Sequence, residues 1–272
     1  MAFFDRFKKT KETQKEISPA VNTSGFLLFD RADMDVQGMA DKVRQTFGQD
    51  TVMDLDCSHS VVTMNVKLDG LEFWCSYMPF PVPPEEMDIA YTVQFNRLSQ
   101  EEQQAFCAHK SFMLIAQKGG GTNLEKKRHV CRLFSQLCGA WMAMDGAVGF
   151  CLNTTGLLVS RNEYLRHVAI LNGEAGRDPA YFPAPLWIWV LPLQDGDTPT
   201  IESWGLKEFG FLELMFRAPV SDFREICSRI YVMSIMQITG NAYYQNMDMI
   251  TFENKETAIF KKSGEKLAVI GG

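Results

Sequence analysis

Glutamates, histidines and a short glycine run are the residues of this 272-residue chain whose types and spacing could support chemistry. Glu208 and Glu213 flank the segment WGLKEFG and could work as an acid–base pair in a cleft, with His109 as a third proton-transfer group. The GxSxG nucleophile motif is absent from the sequence. We therefore predict no catalytic residue and no enzyme activity, and keep a hydrolase or transferase as an alternative.

A possible metal site is indicated by four potential ligands within six residues: Asp54, Asp56, Cys57 and His59. On a strand, Asp54 and Asp56 would lie on the same face and could begin an oxygen-ligand site. The sequence contains no second cluster with a known ligand spacing and no HExxH motif. We therefore predict polar residues at a strand end, with no bound metal and no cofactor.

A glycine run, Gly119–Gly121, separates a predicted strand from a predicted helix. Backbone amides at such a turn can hold an anion, and Lys126 and Lys127 could add positive charge. The run lacks the GK[ST] of a phosphate-binding loop and the GxGxxG of a dinucleotide site. The pattern favours a strand–helix turn and leaves open a small-molecule or anion site there.

Three acidic and two aromatic side chains in the second half of the chain form a candidate binding surface. Asp195 and Asp197 lie in the predicted turn QDGDTP, and Glu202 follows them. Loops carry binding residues more often than packed cores do. We predict partner binding through these three carboxylates and through Trp204 and Tyr243 as aromatic anchors. Phe209 is expected in the core.

The charge distribution favours a basic protein partner. The formal net charge is −6, but the first 17 residues carry five basic and three acidic side chains, which leaves −8 on the remainder. An acidic body argues against nucleic-acid binding, because binding there depends on displacing counterions with positive charge. It suits a basic protein, since opposite fields accelerate association.

The cysteines and the N-terminal segment indicate a cytoplasmic protein without a stable membrane anchor. Seven cysteines without a CxxC pair are typical of buried free thiols in a reducing compartment. No run reaches the roughly 18 apolar residues of a membrane span. Residues 1–18 read as a basic leader without the apolar core of a signal peptide, and predict a mobile tail or a short docking helix.

Hydrophobic periodicity predicts an α+β protein. Both halves follow the order strand, helix, strands, which suggests two ferredoxin-like or split β-α-β lobes with mainly antiparallel sheets covered by helices. Their predicted bounds are 19–108 and 109–272. Within 186–217, the runs LWIWVLPL and FLELMF are separated by a turn cluster and predict neighbouring antiparallel strands. The other predicted strands are 25–30, 51–56, 60–68, 71–80, 109–117, 146–152, 247–252 and 257–263, and the predicted helices are 33–47, 85–106, 123–144, 161–172 and 223–238. Asp33 or Asp35 is the predicted cap of the first helix, and the second is expected to break near Leu98-Ser99, with Ser99 as a cap. Asp69-Gly70 is a predicted hairpin turn.

Three segments resemble a bacterial family catalogued as domain of unknown function 4261: HKSFMLIA, PLWIWV and above all WGLKEFGFLEL. The last resembles the family pattern T-x-GL-xx-FG-xx-E, with Ser203 or Trp204 in place of the usual Thr. The family tends to show a GDT-like turn after its apolar helix, where this chain has Gly240-Asn241-Ala242. The resemblance covers about residues 109–255.

The resemblance implies a fold and a bacterial cytoplasmic setting, but no reaction. Proteins that share this sequence pattern occur beside secreted antibacterial toxins and resemble immunity proteins. We therefore expect a cytoplasmic immunity protein that binds and neutralises a cognate type VI secretion toxin with a basic, nuclease-like domain. Besides an enzyme, the alternative is a structural adaptor subunit that docks through the basic leader.

Overall fold

The chain forms two compact units, a first unit of Val21–Arg177 and a second unit that contains Asp178–Gly272. The computed structural model describes residues 23–57, 61–117, 123–195, 198–217, 222–252 and 257–271. Each unit has its own sheet, with seven strands in the first and six in the second. The α+β prediction is confirmed.

The first unit combines a seven-stranded antiparallel sheet with helices. In order along the chain, its elements are β1 (Thr23–Phe29), α1 (Val36–Phe47), β2 (Val52–Asp56), β3 (Val62–Leu68), β4 (Leu71–Met78), α2 (Ile89–Thr92), α3 (Gln100–Cys107), β5 (Ser111–Gln117), α4 (Leu124–Met142), β6 (Ala147–Leu152), β7 (Leu157–Ser160) and α5 (Arg161–Asn172). The strand order is β2-β3-β4-β5-β1-β6-β7.

The second unit combines a mixed sheet with one long helix. Its elements are β8 (Trp189–Asp195), β9 (Thr198–Trp204), β10 (Glu213–Arg217), α6 (Phe223–Ile238), β11 (Met249–Thr251), β12 (Thr257–Ser263) and β13 (Lys266–Ile270). The strand order is β11-β12-β13-β10-β9-β8, and β10 and β13 are parallel.

Split β-α-β connections occur in both units. In the first, β5 and β6 are both antiparallel to β1, which lies between them, so β5 and β6 run parallel and α4 connects them. In the second, β10 and β11 run parallel with β13 and β12 between them, and α6 makes the connection. Strands that run parallel require a crossover connection, usually a helix, because a tight hairpin reverses chain direction.

One predicted boundary and one predicted strand pairing differ from the structure. The predicted lobe boundary after residue 108 is replaced by one after Arg177, because β5 pairs with both β4 and β1 and belongs to the first sheet. The predicted neighbours LWIWVLPL and FLELMF are not adjacent. β9, which contains the polar segment TPTIESW, pairs with β8 on one side and β10 on the other.

Local sequence signals account for the ends of several helices and turns. The Asp35 carboxylate accepts a hydrogen bond from the Gly38 amide at the start of α1. Ser99 and Glu102 form a capping box that begins α3 and divides the predicted helix 85–106. Asp69-Gly70, with positive φ at both residues, turns β3 into β4.

The helices α1, α4 and α5 form one layer on the first sheet. On the face of the sheet that these helices cover, Phe73 of β4 and Phe150 of β6 make ring contacts with Phe134 of α4. Phe150 also contacts Tyr164 of α5. The opposite face is covered by the segment 79–107 over β5, β1, β6 and β7, where Phe106 joins a buried cluster with Phe26 and Phe112. The sheet therefore has apolar layers on both faces, but the second layer does not extend over every strand.

The thiol prediction is confirmed for five cysteines, which are buried: Cys75, Cys131, Cys138, Cys151 and Cys227. Cys57 and Cys107 are exposed, and all seven are free of disulfide bonds. Burial raises the pKa of the Cys138 and Cys151 thiols, which keeps them protonated. Among the described helices, none is both long enough and apolar enough to span a membrane.

Candidate functional site

The segment WGLKEFG is organised around the buried carboxylate of Glu213. This segment connects β9 to β10 through a 3₁₀ turn at Leu206–Phe209. Glu213 Oε1 accepts hydrogen bonds from the amides of Gly205 at 2.9 Å and Lys207 at 3.2 Å. Glu213 Oε2 accepts from Ser203 Oγ at 2.6 Å and from the Leu206 amide at 3.2 Å. The carboxylate thereby satisfies the amide groups of the turn that follows β9.

These contacts make Glu213 a structural residue. Burial raises the pKa of its carboxyl group, while the hydrogen bonds from Ser203 and the turn amides act in the opposite direction. Both carboxylate oxygens are engaged with donors of its own unit, and Glu208 is half-buried within the turn. Glu213, the more buried residue of the hypothetical acid–base pair with Glu208, therefore stabilises the turn through its hydrogen bonds.

Two glycines of the same segment are required by its backbone. Gly205 has φ of +125°, and a Cβ atom there would lie 2.4 Å from the Trp187 carbonyl oxygen. Gly210 is left-handed, with φ of +84°. Gly205, Gly210 and Glu213 of the segment WGLKEFGFLEL thus have local structural reasons to be present.

The predicted acidic anchors are not equivalent. Glu202 is only 2% exposed, and its Oε2 atom is 2.6 Å from Lys266 Nζ, while Oε1 accepts a hydrogen bond from Thr200. Glu202, predicted as a surface anchor, is therefore buried, and its carboxylate is paired with Lys266 of β13. The backbone of Asp195 ends β8, but its side chain and the whole of Asp197 lie outside the described residues.

The predicted aromatic anchors are accessible. Trp204 is 43% exposed and makes an edge-on ring contact with Trp189 on the neighbouring strand. Tyr243 is 49% exposed and packs at a tilt against Phe211. Phe209 is buried, as predicted. Trp204 and Tyr243 thus present aromatic surface to solvent while being held by a second ring, which suits contact residues.

His109 is also engaged by the backbone. Its Nε2 atom accepts a hydrogen bond from the Val82 amide at 2.9 Å, and Nδ1 lies 2.7 Å from the Phe106 carbonyl oxygen. This arrangement fixes the neutral tautomer with the proton on Nδ1, and burial lowers the pKa of the ring. The ring joins the segment 79–107 to β5 and is occupied structurally.

Replacing His109 with alanine should lower the free energy of unfolding by about 2–3 kcal/mol, because it removes a buried hydrogen-bond partner from Val82 and Phe106. Since the folded pKa is lowered, His109 contributes stability above its unfolded pKa of about 6.5 that is lost as pH falls. Urea titrations of wild type and variant at pH 5 and pH 7.5 measure both effects. His129→Ala, at an exposed ion pair with Asp69, is the matched control, and an equal loss in both variants would contradict the structural role of His109.

The residues predicted as possible metal ligands and anion-binding groups are only partly within the described ranges. Asp54 and Asp56 are exposed on one face of β2, and His59 lies outside the described residues. No group of three metal-ligating side chains occurs within the described ranges. Gly119–Gly121 also lie outside them. Lys127 is buried, and its Nζ donates to Thr23 Oγ1 at 2.9 Å rather than facing a surface site.

Trp74 is an exposed aromatic residue that the sequence pattern does not single out. It lies in the run FWCSY, which reads as uniformly apolar, although the strand alternates between a buried face with Phe73 and Cys75 and an outer face with Glu72 and Trp74. Trp74 is 62% exposed. The signal that could have found it is the charged residue two positions before it, since alternate strand residues share a face.

No model of a known protein family matches the chain, and neither the curated proteins nor the solved structures contain a significant match.

Proposed function

We propose that this chain is a cytoplasmic immunity protein that binds and neutralises a cognate antibacterial toxin of the type VI secretion class. The observation that carries the proposal is the exposure of large aromatic side chains on an acidic protein, with Trp204 and Tyr243 in one unit and Trp74 in the other. Tryptophan and tyrosine dominate the energetics of protein interfaces when a partner covers them.

The hydrogen bonds that the candidate catalytic side chains make within the protein support a binding function over an enzymatic one. His109 uses both ring nitrogens for backbone groups, and Glu213 uses both oxygens for the turn that follows β9. A proton-transfer residue needs a side-chain atom within reach of a substrate. Each of these groups instead holds its own unit together.

The charge of the chain supports a basic, nuclease-like toxin as the partner. The formal charge is −6 overall, and it becomes −8 when the basic leader is excluded. A nuclease domain that binds a phosphate backbone carries positive charge. Opposite fields steer such a pair together and increase the association rate, most strongly at low ionic strength.

The proposal is tested by recovering the partner and measuring protection. A tagged full-length chain is purified from its source organism at rising salt, and the eluted proteins are identified by mass spectrometry. We expect one basic protein in near-stoichiometric amount that stops growth when expressed alone and is tolerated when expressed with this chain. Recovery of the chain alone at every salt concentration, or a partner without toxicity, would contradict an immunity function.

If Asp195 and Asp197 attract the toxin, their charges should affect the rate of association. Replacing Asp195 and Asp197 together with asparagine should slow association with that toxin by about tenfold at low salt, because the variant loses steering charge. Association rates of the two proteins should converge at high salt, where the fields are screened. Surface plasmon resonance at several salt concentrations measures this, and a wild-type rate in the double variant at low salt would exclude the turn.

A further inference from the structure

A short helical segment of the first unit presents aromatic side chains where polar ones would be expected. The segment consists of α2 and the 3₁₀ turn Val93–Phe95. Ile89 and Val93, four residues apart, are buried in the cluster beneath it. Tyr91 and Phe95, also four residues apart, point the other way and are 60% and 46% exposed. Residues at this spacing share one side of a helical segment, so both rings lie on its outer side.

The rings of Tyr91 and Phe95 pack against each other. Their centroids are 4.9 Å apart and their planes are tilted by 59°. Single exposed apolar side chains are ordinary on protein surfaces. Two aromatic rings in contact form a larger apolar patch, and a partner that covers such a patch gains free energy.

Hydrogen bonds hold this helical segment in place. The Asp88 carboxylate accepts a hydrogen bond from the Tyr91 amide at 2.9 Å and begins α2. Asn96, directly after Phe95, donates from Nδ2 to the Gly156 carbonyl oxygen at 3.1 Å, and its Oδ1 accepts from the Leu158 amide at 2.8 Å. The backbone that carries the two rings is therefore fixed before binding, which lowers the entropy that a partner must overcome.

The residues around the two rings carry negative charge. Residues 79–96 contain three carboxylates, Glu85, Glu86 and Asp88, and no lysine, arginine or histidine. All three are exposed, and neither Glu85 nor Glu86 forms an ion pair with another described residue. The first cation after this stretch is Arg97, so the stretch stays negative when that residue is included. We call residues 85–95 the Tyr91 segment.

We propose that the Tyr91 segment is a docking surface for an arginine-bearing basic segment of the toxin, whose guanidinium groups stack on the Tyr91 and Phe95 rings and pair with Glu85 and Glu86. This inference rests on the proposed function and names a surface that it uses. The planar guanidinium group stacks on aromatic rings and also forms paired hydrogen bonds with carboxylates. Arginine is therefore the side chain that fits both parts of the Tyr91 segment.

The aromatic part of this proposal is tested with the purified toxic protein identified by the growth-protection experiment. Tyr91→Ala should raise its Kd by about 30-fold, which corresponds to about 2 kcal/mol. Tyr91→Phe keeps the ring and should bind within about threefold of wild type. Val52→Ala, at an exposed apolar residue of the same unit outside the Tyr91 segment, is the matched control and should leave the Kd unchanged within about twofold. Thermal melts establish that each variant is folded.

The charged part is tested by association kinetics. Glu85→Gln with Glu86→Gln should slow association with the same toxin by about five- to tenfold at low salt, and the difference should disappear at high salt. Glu125→Gln with Glu174→Gln removes two exposed charges elsewhere in the unit. This control should slow association by less than about twofold, because its charges lie away from the docking surface. Equal slowing in the two double variants would contradict local pairing.

The possible outcomes separate this inference from the proposed function. A wild-type chain that neither binds nor protects contradicts both. Wild-type affinity in Tyr91→Ala, with protection intact, overturns the docking surface and leaves the immunity function standing. Equal losses in Tyr91→Ala and Tyr91→Phe would overturn stacking on the ring.

Two other occupants of the Tyr91 segment are distinguished by sedimentation and by deletion of residues 1–17. A wild-type dimer that Tyr91→Ala dissociates would show that a second copy occupies the segment. Tighter toxin binding after the deletion would show that the basic leader does. Either result would overturn the proposal.

Discussion

Replacing Glu213 with alanine should lower the free energy of unfolding of the second unit by about 3–5 kcal/mol. The substitution leaves three turn amides and the Ser203 hydroxyl without their common acceptor. Each buried polar group without a partner costs about 1–3 kcal/mol, and relaxation of the turn or entry of water recovers part of the sum. Chemical denaturation of the full chain, followed by tryptophan fluorescence, measures the loss.

Two further variants identify the cause. Glu213→Gln retains one acceptor oxygen but places an amide NH₂ among donors, so its loss should be substantial and smaller than that of alanine. Glu225→Ala removes an exposed glutamate of α6 that pairs with Arg229, and should have little effect. Equal stability of Glu213→Ala and Glu225→Ala would mean that the turn does not depend on the buried carboxylate.

Glu213 should also give the second unit a distinct pH dependence. Burial raises the folded pKa of this carboxyl above its unfolded value of about 4.3. Its contribution to stability is therefore fully present below the unfolded pKa and declines as pH rises through the folded pKa. The difference in unfolding free energy between wild type and Glu213→Gln should become less favourable to wild type over this range. A difference that grows with rising pH would contradict the direction of the shift.

Gly205→Ala should destabilise the same turn by about 3 kcal/mol or more. The backbone at this position has φ of +125°, which L residues rarely adopt, and the new Cβ atom would lie 2.4 Å from the Trp187 carbonyl oxygen. The contact is with backbone, which cannot move as a side chain would. The measured quantity is the denaturation midpoint of the full chain.

Gly240→Ala is the matched control for this glycine. Gly240 also has positive φ, at +77°, but a Cβ atom there would have no neighbour within 4 Å. Its loss should be limited to the left-handed backbone cost of about 1 kcal/mol. If the two alanine variants lost equal stability, the close approach to Trp187 would not be the constraint at Gly205.

Several parts of the fold were accessible from the sequence because they depend on neighbouring residues. Ser99 as the cap of α3 and the Asp69-Gly70 turn were predicted at their observed positions, and Asp35 is the one of the two predicted caps, Asp33 and Asp35, that begins α1. Each involves a side chain or a backbone angle acting on residues within three positions. Such interactions leave a readable pattern in the sequence.

The candidate site was only partly predictable, because exposure depends on which strands become neighbours. The predicted contact residues Trp204 and Tyr243 are accessible, whereas Glu202 is buried against Lys266, 64 positions away. Trp74 looked like part of an apolar run, yet the layer formed by residues 79–107 stops short of it. No local sequence pattern predicts which strands the layer of residues 79–107 covers.

The α+β class, the long helices, the tight turns, the glycines around WGLKEFG and the acidic character of the chain can all be read from the sequence. The division after Arg177, the insertion of β9 between two apolar strands and the parallel pairing of β10 with β13 emerge only in the folded chain. The two sets differ in the sequence separation of the interacting residues. Propensity and capping act within a few residues, whereas strand pairing and burial depend on contacts between segments that are distant along the chain.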